Sequence, residues 1–154
     1  MPLQPSSDTI PDLQLALTPS LHPHLVINAD APPGNCRLYL ALTLPDALFP
    51  DPDELTDLWG PADSNSAGVR WSLSPRRIDI ERPVDSSLKS VRLDVSVPSP
   101  PVAGQAVADI PLHARYLPPS EEDGWDVSVF DLENPVRAAW ACNGQCKLLQ
   151  VLGS

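Results

Sequence analysis

The sequence predicts an all-β fold: one antiparallel, sandwich-like domain with a single short helix near residues 51–59. Three observations point there. Apolar and polar residues alternate with period two in several segments, as a half-buried strand requires because its side chains point to opposite faces in turn. Most of the chain's prolines and glycines fall between those segments, where a missing N–H donor or a free φ ends a strand. No amphipathic segment of about a dozen residues is available for the helical crossovers that parallel strands need.

In chain order, weaker alternation at Leu13 to Leu17 and Leu25 to Asn28 gives the first strands. CRLYLALTL follows, with Cys36, Leu38, Leu40, Leu42 and Leu44 on one face and Arg37, Tyr39, Ala41 and Thr43 on the other. The helix is read at DPDELTDLW: Asp51 can cap, Pro52 suits the first helical position, Glu54 completes a capping box and Gly60 ends the turn. Short strands are read at Val69 to Leu73 and Ile78 to Ile80. SVRLDVSV is the cleanest segment, with Val91, Leu93, Val95 and Val97 facing a core. Ala106 to Tyr116 and Asp126 to Leu132 complete the set, and Pro111 marks a strand start, a bulge or a sheet edge. Residues 1–12 are read as a flexible N-terminal segment, 13–142 as the β domain and 143–154 as a C-terminal tail. The spacing suits a β-sandwich.

A length of 154 residues fits one domain with one core. Twenty Asp and Glu against ten Lys and Arg leave a net charge of −10, which repels nucleic acid and anionic lipid surfaces. Nucleic acid is therefore not an expected partner. The N-terminus shows no positive segment followed by an apolar stretch, and no run reaches the roughly 18 apolar residues of a membrane-spanning helix.

The candidates for chemistry each meet a plainer reading. His22 and His24 stand at i and i+2, so a strand would put both imidazoles on one face. A third metal ligand would have to be His113 or a cysteine, and none has diagnostic spacing, so surface histidines are expected and no metal or cofactor. Cys142 and Cys146 form a C-x3-C and not the tighter redox motif. Cys36 and Cys142 sit in or next to strands, and a structural disulfide between them is expected if the domain folds in an oxidising lumen, contributing roughly 3–5 kcal/mol. No G-x-S-x-G elbow and no phosphate-cradling glycine loop is present, so no catalytic residues are assigned.

Two blocks resemble a known family. In residues 21–55, Cys36 begins a leucine-rich strand, followed by Leu44-Pro45, Phe49, Asp51-Pro52 and the acidic-leucine pair Glu54-Leu55. In residues 110–142, Pro111, His113, Arg115 and Tyr116 precede the prolines Pro118 and Pro119, an alternating strand, Pro135 and Cys142. Between them, residues 76–87 are similar to a short Ile-Asp, acid, proline segment. This pattern resembles the luminal part of the PIG-X family of GPI-mannosyltransferase accessory subunits and its fungal PBN counterparts. Asp53 departs from it, because the family usually has a tyrosine after its Asp-Pro.

The resemblance implies an all-β domain in the lumen of the endoplasmic reticulum. It also implies a non-catalytic role, stabilising the multi-spanning subunit that adds the first mannose to GPI-anchor precursors, with an added role in protein folding there. It makes Pro111, His113, Arg115 and Tyr116 signature positions of structural character; the plain reading of Arg115 and Tyr116 is a well-packed strand end. A membrane-spanning helix is expected in the family after the last cysteine, whereas KLLQVL is too short to span; a truncated gene model or a splice form would explain this, and if the chain ends at Ser154, membrane retention would require the partner. Family domains are often N-glycosylated, and no Asn here has a hydroxyl residue two positions on. The alternative is a free-standing soluble β-sandwich that binds proteins along a sheet edge.

Overall fold

The computed structural model describes residues 13–18, 20–81, 90–102, 104–116, 136–142 and 145–152. Period two dominates it, and the strands pair antiparallel throughout. One sheet has three strands in the order β1 (Leu13–Leu17), β2 (His24–Asp30), β7 (Gln105–Pro111). The other has five, in the order β10 (Gln145–Leu152), β9 (Val136–Cys142), β3 (Cys36–Leu44), β6 (Val91–Pro98), β5 (Arg70–Ser74). A two-stranded bridge joins β4 (Leu48–Phe49) to β8 (His113–Ala114), and α1 spans Pro52–Trp59.

Alternation decides which face is buried. On β3 the even residues from Cys36 to Leu44 are buried, and on β6 the odd residues Val91 to Val97 are buried opposite them. Leu25, Ile27 and Ala29 of β2, with Ala106, Ala108 and Ile110 of β7, bring the smaller sheet's apolar face into the same cluster. Trp140 fills that core from β9 at 1% exposure. Two sheets sharing one core in this way form the all-β single domain that the alternation predicted.

Cys36 and Cys142 are directly opposite in the β3–β9 register and are joined by a disulfide, with Cα atoms 4.1 Å apart. Pro111 ends β7, an outer strand of its sheet, where a residue without a donor costs no ladder bond.

Three expectations differ. Ile78 to Ile80 form no strand: Ile78 packs against the core, but among the described residues no strand pairs with the segment. Residues 145–152, read as a tail, form β10 and extend the large sheet beyond β9. Glu54, expected to reach back to the amide of its own cap, turns instead toward His113. The helix is still capped by the Asp51 carboxylate, which accepts from Asp53 N–H at 2.9 Å, and it ends at Gly60 with φ 86°, a conformation that favours glycine. The segments 1–12 and 126–132 lie outside the described residues.

Candidate functional site

The residues that carry the sequence pattern come from two ends of the chain and close on one another at the β4–β8 bridge. Phe49 stands opposite His113, and Leu48 opposite Ala114. The bridge is extended by backbone bonds on both sides: Arg115 N–H donates to Ala47 C=O at 2.8 Å, and Ala114 N–H to Leu21 C=O at 3.0 Å. Leu112 N–H donates to Pro23 C=O at 2.8 Å, so the turn before β2 is fastened to the same segment. Alternation again sorts the side chains. Leu112 enters the core, and His113 faces the helix.

Helix α1 has a single buried residue, Leu55. Its neighbour Glu54 points along the rim of the core, and its Oε2 lies 2.7 Å from His113 Nε2. The His113 ring stacks on Phe49 with centroids 5.4 Å apart, and meets His22 edge-on at 4.6 Å. The Arg115 guanidinium lies 4.6 Å from the centroid of Phe49, a cation–π contact, and also donates to the Asp79 C=O. An arginine at 8% exposure requires such partners, because an unpaired buried charge is costly.

Asp51, Glu54 and His113 offer three possible ligand atoms within 4.8 Å of one another. Two of these groups are tied together, Glu54 to His113, and Asp51 caps the helix. The contact on the His113 ring nitrogens among the described residues is the one to Glu54. What the arrangement does chemically is join α1, β4, β8 and the turn before β2 through one imidazole.

The signature positions therefore divide. Pro111, His113 and Arg115 are packed into the junction, whereas Tyr116 is 77% exposed and forms no packed strand end. His22 and His24 do not share a strand face: His22 precedes β2 and joins the junction, while His24 Nδ1 lies 2.7 Å from Asp109 Oδ1. The sequence reading missed Glu54 as the partner of His113. A double-mutant cycle with Glu54→Gln and His113→Asn, read by urea unfolding, is expected to give a coupling of about 0.5–2 kcal/mol. Additive losses would show that the contact contributes nothing of its own.

Residues 18–151 match the model of the family described as PIG-X / PBN1. The chain is 33% identical over 139 residues to Protein PBN1 of Gibberella zeae, covering 84% of this chain and 27% of that protein. It is 31% identical over 131 residues to Protein pbn1 of Neurospora crassa, covering 79% of this chain and 25% of that protein. The chain thus spans about a quarter of the length of these curated relatives. No solved structure matches.

Proposed function

This chain belongs to the PIG-X / PBN1 family, and from that premise we propose that it is a non-catalytic accessory domain for GPI-anchor biosynthesis. Its partner is the multi-spanning mannosyltransferase that adds the first mannose to GPI-anchor precursors, and its work is to keep that enzyme folded on the luminal side of the endoplasmic reticulum membrane. Help in folding other proteins of that compartment is part of the same reading.

The observation that supports this reading most is the junction at His113. The two blocks that carry the family pattern meet there, and His113 Nε2 and Glu54 Oε2 hold them together. Tyr116, displayed beside the packed Arg115, offers an aromatic ring for a protein partner. Among the described residues no helix is long and apolar enough to cross a membrane.

The test is co-purification with the mannosyltransferase and measurement of that enzyme's amount in cells lacking this protein. Loss of the protein is expected to lower enzyme abundance several-fold, with Tyr116→Ala weakening co-purification and leaving the domain's thermal stability unchanged. Normal enzyme abundance and activity in its absence would refute the proposal. A second reading, a free-standing module that binds proteins by strand addition, is favoured by β5, which ends the five-stranded sheet and, among the described residues, pairs only with β6. Retention of the chain in the cytosol without the enzyme would select it.

A further inference from the structure

The outer face of the five-stranded sheet carries a groove of about 560 Å³, within the size range of small-molecule sites. It owes its depth to small residues standing side by side on neighbouring strands. Ala139 lies opposite Tyr39 and Tyr39 opposite Ser96, while one row along Ala41 lies opposite Asp94 and Asp94 opposite Ser72. Long side chains rise around this floor: Arg137 from β9, Arg92 from β6, Arg70 from β5 and Tyr39 from β3. Asp63, Ser64 and Asn65 close one end from the loop before β5.

The charge here runs against that of the whole molecule. With a net charge of −10, the chain places four of its ten basic residues, Arg37, Arg70, Arg92 and Arg137, on this one face. Arg37 and Arg70 hold the loop: Arg37 donates to Ser96 Oγ at 2.9 Å and to the carbonyls of Ala67 and Gly68, and Arg70 to the carbonyl of Ser66 at 2.7 Å. Burial, and then the nearby Arg70 charge, lower the pKa of Arg37. Arg92 pairs with Asp94 at 3.2 Å on the exposed side, and Asp63 with Arg76 at 3.3 Å. Arg137 is exposed and makes no hydrogen bond or ion pair among the described residues.

We propose that this groove binds a phosphorylated sugar. An arginine fork suits a phosphate in geometry and charge. Tyr39, 45% exposed, gives a flat apolar surface for one face of a sugar ring, over a floor of alanines and serines that leaves room for its thickness. Asp94, Ser72 and Asn65 supply acceptors and donors for hydroxyl groups. The carboxylate at the centre disfavours a continuous polyanion and suits a ligand carrying one anionic group among hydroxyls. The phosphate is either free, as a sugar phosphate monoester, or lipid-linked, as a singly charged diester; both set one phosphoryl group beside sugar hydroxyls. The inference stands independently of the accessory role.

Calorimetric titration of the full chain, disulfide intact, with glucose 6-phosphate tests it, with glucose, inorganic phosphate and phosphatidylglycerol vesicles as the other arms. Saturable binding of the sugar phosphate is expected, with a Kd of about 0.1–1 mM, at least about tenfold tighter than inorganic phosphate and undetectable for glucose. Arg137→Gln and Arg92→Gln should each weaken it about tenfold at unchanged melting temperature, and Tyr39→Ala should weaken the sugar phosphate more than phosphate. No saturable heat by about 10 mM, equal affinity for inorganic phosphate, binding insensitive to both arginine variants, or binding of the vesicles alone would each overturn it.

Discussion

Replacing both Cys36 and Cys142 by serine is expected to lower the free energy of unfolding by about 3–5 kcal/mol. The bond closes a loop of 106 residues of sequence separation, so its removal returns a large amount of freedom to the unfolded chain. Its ends are already opposite each other in the β3–β9 ladder, so the folded sheet loses no pairing when the sulfurs are gone. The loss therefore falls on the unfolded state, and urea unfolding should show a lower midpoint. Wild-type protein unfolded in strong reductant should behave like the double variant. Replacing both partners avoids leaving either thiol free to pair with Cys146. A loss below about 1 kcal/mol would mean that the unfolded chain is already compact around this pair.

The second large effect is expected at Trp140. Trp140→Ala should cost about 3–5 kcal/mol, since the ring is 1% exposed in the core and no neighbour on a hydrogen-bonded strand can follow a shrinking side chain far. Trp140→Phe separates volume from polarity. The indole Nε1 is buried and has no hydrogen-bond partner among the described residues, an arrangement that carries a desolvation penalty of about 1–3 kcal/mol. Phenylalanine removes that penalty along with part of the volume, so its net cost should be less than half that of alanine. Equal losses for the two variants, measured by denaturant unfolding, would show that the N–H is satisfied in solution.

The β faces were legible in the sequence because the period of a strand is written in its own residues. Val91, Leu93, Val95 and Val97 are inward on pattern and buried in fact, and the same holds along β3. Legibility failed where a residue's fate is settled by a distant partner. In β10, Leu148 and Leu149 are adjacent and break the alternation, and the register shifts between Leu149 and Leu152; only the open edge of β9 makes the segment a strand. Ile78 is apolar and packs, yet among the described residues no strand pairs with it. At the junction, Glu54 and His113 are 59 residues apart, and local rules gave the carboxylate a capping task that a histidine across the bridge outbid. The resemblance marked His113 and Arg115 as signature positions, while their contacts to Phe49 came only from the fold.

The place of β3 between β6 and β9 has a consequence for how the protein is made. Cys142 leaves the ribosome 106 residues after Cys36, a delay of about 5–20 s at ordinary elongation rates. Until β6 is made, both edges of this leucine-rich strand are unpaired, and after that its β9 edge and the thiol at its start still wait. A holding chaperone, and an oxidoreductase acting once Cys142 has emerged and β9 can lie beside β3, would serve this topology better than oxidation of Cys36 before its partner is made.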